Sequence, residues 1–134
     1  MKTNKLLTCV AAVMAATSLG AMAEDDPGKT EYMIACAVCH GETGMGNGPM
    51  AELLNIEVPG LTGIAAANDG AFPFLETMMV VDGRTGVRGH GGSMPVWGDR
   101  YEKTALEQVG VYGAEMIVRG RLVSLVEYLE SIQQ

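Results

Sequence analysis

The 134-residue sequence is short of cations, of cysteine and of aromatic residues. It has 9 Lys and Arg against 16 Asp and Glu, and so few cations cannot form the basic face that a nucleic-acid-binding protein needs. Three cysteines are too few for a disulfide-stapled scaffold or a four-thiolate zinc site. These shortages leave a small acidic protein, and its length favours a single domain.

The first 23 residues have the layout of a secretory signal peptide. Two lysines precede an apolar run over residues 6–16, and Ala-Met-Ala at residues 21–23 is a small-x-small cleavage site. An uncleaved membrane anchor is the alternative, because residues 6–23 are just long enough to span a bilayer. We expect cleavage after Ala23, which would remove Cys9 and leave a periplasmic domain over residues 24–134 with no further membrane span.

The mature chain predicts helices joined by glycine-rich loops. Residue type and spacing favour helices over residues 30–37, 50–55, 72–81 and 118–132, and glycine and proline favour loops over residues 41–48 and 84–99. The last helix has an apolar face formed by Val118, Leu122, Leu125, Leu129 and Ile132. Thr104 and Glu107 resemble a capping box. No stretch alternates with period two for long, so we expect an all-α fold.

One motif indicates the chemistry. Residues 36–40 read Cys-Ala-Val-Cys-His, the C-x-x-C-H sequence that attaches c-type haem. Thiols three positions apart, at Cys36 and Cys39, can add to the two vinyl groups on one edge of a porphyrin. The imidazole of His40 is then held over the iron as an axial ligand.

Three other uses of this motif are possible. A thioredoxin-like redox pair requires a strand-to-helix junction, which the pattern does not predict. A zinc site needs further thiol or imidazole ligands, and only His90 is available. A plain disulfide gives no reason for the adjacent histidine. Covalent haem is therefore the preferred interpretation.

The second axial position has one leading candidate among seven methionines of the mature chain. Met94 is followed by Pro95 within a glycine-rich segment, where a side chain can be directed at the iron, and a thioether ligand there raises the reduction potential. His90 is the alternative, and it would give a bis-imidazole iron. An open sixth position is the third possibility.

Taken together, these features resemble a class I cytochrome c, and the similarity covers nearly all of residues 24–134. The resemblance implies an all-α fold around one haem c, in which the helix holding Tyr32 packs on the C-terminal helix near Tyr128. The segments that carry it are the haem motif with Gly41, then Gly46-Asn47-Gly48-Pro49, the Met94-Pro95 pair and Tyr128-Leu129 near the end.

The resemblance also implies a set of pocket residues. Pro49 matches the family proline whose carbonyl accepts the imidazole proton of His40, a bond that fixes the tautomer. Trp97 and either Arg84 or Arg88 are the expected partners of the haem propionates, because a buried carboxylate needs a donor or a cation.

The function that follows is electron transport by a periplasmic monohaem protein, not an enzyme, between redox partner proteins. A second interpretation is a fixed haem subunit of a larger dehydrogenase or oxidase, since residues 101–118 are more than a minimal carrier needs. A third is a haem peroxidase or gas sensor with an open iron, which requires that Met94 does not bind.

Overall fold

The computed structural model describes residues 26–86 and 94–134, and within these ranges it contains helices and no strand. This confirms the all-α prediction for the part of the chain described. No helix in it is long and apolar enough to cross a membrane. The helices are α1 (Pro27–Ala35), α2 (Ala37–His40), α3 (Phe74–Asp82) and α4 (Trp97–Ser131), with short 3-10 turns at Ala51–Leu53 and Ala66–Asn68.

The haem motif lies at a break between two helices, where the sequence predicts one helix over residues 30–37. The carboxylate of Asp26 caps α1 by accepting from the backbone N–H groups of Gly28 and Lys29. At Cys36 φ widens to −116° while ψ, −38°, stays in the right-handed helical region, and α2 begins at the next residue. Cys36 therefore separates α1 from the short helix that carries Cys39 and His40.

Helix α4 consists of two segments that meet at Gly110. This glycine has φ 69° and ψ 179°, a left-handed conformation that an L side chain rarely adopts. The helix begins at Trp97, so the predicted loop over residues 84–99 is too long. The predicted capping box is also wrong, because Thr104 lies inside α4 and its hydroxyl donates to the carbonyl of Arg100 at 3.1 Å.

The core lies between α1 and the second segment of α4. A Cβ on Gly28 would lie 2.0 Å from the carbonyl oxygen of Ser124, so the two backbones approach as closely as glycine allows. The rings of Tyr32 and Tyr128 are 5.2 Å apart, which confirms the contact that the resemblance implies. The predicted apolar face is confirmed too: Val118, Leu122, Leu125 and Leu129 are buried, and Ile132 packs against them.

An ion pair ties the same two helices together at the edge of this core. Both guanidinium nitrogens Nε and Nη2 of Arg121 donate to the carboxylate of Glu31, at 2.7 and 2.8 Å. The guanidinium also lies 3.9 Å from the ring centroid of Tyr101. The pair therefore joins α1, the second segment of α4 and a buried tyrosine of the first segment.

Candidate functional site

A glycine-rich loop folds back onto α2 and fixes the haem motif. The last carbonyls of a helix have no partner within it. Here the N–H groups of Met50, Gly48 and Gly46 donate to the carbonyls of Val38, Cys39 and His40, at 2.9, 3.0 and 2.8 Å respectively. Every carbonyl at the end of this short helix thus has a partner, and the orientation of His40 is held by the loop.

Two glycines are required by the closeness of this approach. A Cβ on Gly48 would lie 2.5 Å from the carbonyl oxygen of Val38. Gly46 has φ 79°, and a Cβ there would lie 2.3 Å from the carbonyl oxygen of Val58. The second contact brings the segment that holds Pro59 against the end of α2.

His40 is buried, with 6% of its surface exposed, and its ring is oriented by a backbone carbonyl. Nδ1 lies 3.0 Å from the carbonyl oxygen of Pro59. Because a carbonyl oxygen only accepts, Nδ1 carries the proton and Nε2 holds the basic lone pair. The prediction that Pro49 provides this carbonyl is wrong: Gly46 and the loop around it bring Pro59 to the imidazole instead.

The C-terminus of the chain holds the segment that follows Pro59. The side-chain amide of Gln133 donates to the carbonyl of Leu61 at 2.8 Å and accepts from the N–H of Ala65 at 2.9 Å. The N–H of Gln134 donates to the carbonyl of Thr62 at 2.9 Å. The C-terminal residues that follow α4 therefore support the loop that orients the imidazole.

His40 and Met94 line the same cavity, although 54 positions separate them in the sequence. The cavity has a volume of about 250 Å³, and Cys36, Cys39 and Trp97 also line it. Most of the remaining wall is apolar. Its other members are Ile34, Ala35, Val38, Leu54, Ile56, Glu57, Val58, Pro59, Pro95 and Arg100.

Arg84 is not in this wall. Its guanidinium donates to Asp82 through Nε at 2.6 Å and to Glu115 through Nη1 at 3.0 Å. These hydrogen bonds, that to Asp82 above all, raise the pKa of Arg84. The prediction that Arg84 binds a propionate is therefore wrong, because two carboxylates already hold its charge. Arg88 and His90 lie outside the described residues.

The cation in the wall is Arg100, which the sequence reasoning did not select. It lies one turn after Trp97 on α4, and its guanidinium carbon is 5.0 Å from the centroid of the indole. The signal that could have found it is this spacing of three on a helix. This spacing was not recognised because Trp97 lies within residues 84–99, which were predicted to be a loop.

The thiols differ in their surroundings. Cys36 has 4% of its surface exposed, whereas Cys39 is half-buried, and the two form no disulfide. Burial, followed by the nearby Cys39 and Glu31, raises the pKa of the Cys36 thiol to about 12. Its side chain is therefore uncharged at neutral pH, so the position suits a neutral sulfur group.

The donor set of this cavity fits a covalently attached haem. Two thiols, an imidazole with a fixed tautomer and a thioether meet in a mainly apolar wall. Ile34 and Ile56 line the cavity and have 69% and 41% of their surfaces exposed. A large apolar group in the cavity would bury this exposed apolar surface. Among the described residues no three His, Cys, Asp or Glu side chains are grouped to hold a metal directly.

A helical fold with these residues around one cavity defines a haem-binding electron carrier of the c type. The family model for cytochrome c matches residues 26–108. The chain belongs to the cytochrome c family. Comparison with curated proteins and with solved structures gives no match.

The match ends inside α4, just before Gly110. It therefore includes the haem motif, Met94 and the first segment of α4. The second segment, which packs on α1, lies beyond it.

Proposed function

We propose that this protein is a periplasmic class I cytochrome c with one haem, which carries single electrons through an iron held by His40 and Met94. The observation that carries the proposal is that the imidazole and the thioether line the same cavity as both thiols of the motif. Redox partner proteins would supply and accept the electron. When bound, haem c exchanges one electron between its ferrous and ferric states.

The roles of the axial residues follow from their chemistry. The bond from Nδ1 of His40 to the Pro59 carbonyl keeps Nε2 basic and prevents the ring from turning. The sulfur of Met94 would stabilise the ferrous state, because a thioether is a softer and less donating ligand than a second imidazole. Cys36 and Cys39 would bind the haem edge through thioethers.

The remaining wall residues would exclude water and hold the haem carboxylates. An apolar wall lowers the local dielectric constant, which is one of the ways a protein sets the reduction potential. Arg100 and the indole N–H of Trp97 are the donors in this wall that suit a propionate. Arg100 takes the place that the resemblance gives to Arg84 beside Trp97; the alternative that it implies, Arg88, lies outside the described residues.

The location follows from the start of the chain. Residues 1–23 would act as a signal peptide, and cleavage after Ala23 would release the domain over residues 24–134 into the periplasm. Covalent attachment suits that compartment, because a thioether-bound haem cannot dissociate.

The test is the intact mass of the denatured exported protein. We expect a chain that begins at Glu24 and carries the added mass of one haem. Cys36→Ser and Cys39→Ser should each lose one thioether, with less mature protein, whereas Cys9→Ser should change nothing because that residue is removed. A mature protein without covalent haem, or with more than one, would contradict the proposal.

A second function, that of a fixed haem subunit in a larger periplasmic oxidoreductase, is favoured by an exposed apolar part of α4. Large apolar side chains around Gly110 are exposed and lie away from the cavity. Val109, Val111, Tyr112 and Met116 have 49%, 72%, 93% and 76% of their surfaces exposed. Purification under native conditions separates the two: a free carrier elutes at the monomer mass, and a subunit elutes with a stoichiometric partner.

A further inference from the structure

The end of α3 and the start of α4 are in direct contact on either side of the segment that contains Met94. A Cβ on Gly98 would lie 1.8 Å from Oδ1 of Asp82 and 2.5 Å from Nε of Arg84. A Cβ on Gly83 would lie 3.3 Å from Cγ1 of Val96. The first turn of α4, which directly follows Met94 and Pro95, is therefore packed against the residues that end α3.

Arg84 joins this contact to the far side of Gly110. It binds the carboxylate of Asp82 through two nitrogens, at 2.6 and 3.2 Å, and its third nitrogen binds Glu115 at 3.0 Å. Glu115 lies in the second segment of α4, the segment that packs on α1. One guanidinium thus connects α3 and both segments of α4.

The two segments touch where Val109 lies over Gly113 and where the guanidinium of Arg121 lies 3.9 Å from the ring centroid of Tyr101, but the space around Gly110 itself is open. Apart from its chain neighbours and the helix backbone, nothing lies within 4 Å of the position of a Cβ on Gly110, and the residues beside it are exposed. The bond from Arg84 to Glu115 spans this kink. Its two side chains have 22% and 40% of their surfaces exposed, so it is half-buried and partly protected from salt.

From these contacts we infer that Arg84 is a positioning residue for the axial methionine. By binding Asp82 and Glu115 together, it fixes the first turn of α4, and with it Met94, relative to the cavity. The inference rests on the proposed function, because it assumes that Met94 is the iron ligand. It also gives the residues beyond Gly110 a role at the haem site.

The test uses the haem-loaded full-length protein and measures the rate at which the ferrous form binds carbon monoxide, which requires that Met94 leaves the iron. We expect Glu115→Gln to raise this rate about fivefold and to weaken the sulfur-to-iron charge-transfer band, the size of effect that a half-exposed ion pair produces. Arg84→Ala should have a larger effect, and Arg84→Lys should recover part of it.

Two matched controls separate positioning from stability. Arg119→Gln removes the other partner of Glu115, at 2.7 Å, but leaves the bond to Arg84, so the rate should stay at the wild-type value. Gly98→Ala should raise the rate, whereas Gly120→Ala, with nothing within 4 Å of its Cβ, should not. Far-UV circular dichroism establishes that each variant is folded.

The outcomes distinguish this inference from the proposed function. If Met94→Ala leaves the spectrum and the carbon monoxide rate unchanged, Met94 is not a ligand and both are wrong. If Met94→Ala opens the iron but Glu115→Gln and Arg84→Ala bind carbon monoxide at the wild-type rate, the positioning role alone is wrong.

Discussion

The two segments of α4 are held by different kinds of contact. The second segment packs on α1 through buried apolar and aromatic side chains, with the backbone of Gly28 against Ser124. The first segment also places Tyr101 in this core, but its first turn meets the end of α3 through a carboxylate, a guanidinium and a glycine, at Asp82, Arg84 and Gly98. We call the contact between α1 and the second segment the dry junction. The contact between the end of α3 and the first turn of α4 is charged and half-exposed, and we call it the charged junction.

The difference separates stability from positioning. Burial of apolar surface contributes most of the free energy of folding, and it is not directional. A bidentate ion pair near the surface contributes little stability but fixes geometry. The dry junction should therefore determine whether the protein folds, and the charged junction should determine where the first turn of α4 lies.

The largest effect is expected from a methyl group at the dry junction. Gly28→Ala places a Cβ 2.0 Å from the carbonyl oxygen of Ser124, so α1 and α4 must separate. We expect a loss of about 3 kcal/mol in the free energy of unfolding, typical of overpacking against backbone. Denaturant unfolding measures it. Gly120→Ala is the control and should gain about 0.5 kcal/mol, since alanine favours helix and the site is open; equal effects at both positions would contradict the packing account.

A smaller loss is expected from the ion pair at the edge of the dry junction. Glu31→Gln leaves the charge of Arg121 without its bidentate partner, and the side chains are 15% and 29% exposed. We expect a loss of about 1–2 kcal/mol, between the values for surface and buried pairs. Carbon monoxide binding to the ferrous protein should not change. A faster rate in this variant would show that the two junctions are not separate.

The smallest expected effect depends on pH and involves Glu115. Hydrogen bonds from Arg119 and then from Arg84 lower the pKa of this carboxyl below its ordinary value of 4.5. A lowered pKa gives stability that is present above 4.5 and is lost as the pH falls through the folded-state value. Glu115→Gln should thus cost about 0.5 kcal/mol at pH 7, and the difference should shrink towards zero in acid.

Unfolding curves of the wild type and of Glu115→Gln at several pH values check this sign. A difference that grows in acid would contradict the assignment of the ion pair.

Sequence reasoning succeeded where the signal is local or periodic. The haem motif needs only five consecutive residues, and the face from Val118 to Ile132 repeats because each of its positions meets the same core. Both are set by helix geometry, and the sequence contains that geometry directly. The contact between Tyr32 and Tyr128 came from the resemblance to the family.

It failed where a contact depends on how a loop folds. Any residue has a carbonyl, so nothing in the pattern distinguishes Pro49 from Pro59 as the partner of His40; the close approach of Gly46 to Val58 decides it. A sequence also does not indicate which opposite charge a charged side chain will bind. Arg84 binds a carboxylate two residues earlier and another in a helix 31 residues later, and neither partner is indicated by composition.

The central claim, an iron held by His40 and Met94, is tested most directly by the visible spectrum of the purified protein in both oxidation states, with carbon monoxide then added to the ferrous form. The account predicts a low-spin spectrum with the weak sulfur-to-iron charge-transfer band, and carbon monoxide binding that is slow because Met94 must first leave the iron. Met94→Ala should keep the covalent haem but become high-spin and bind carbon monoxide. A wild-type iron that is high-spin and binds carbon monoxide at once would contradict the account.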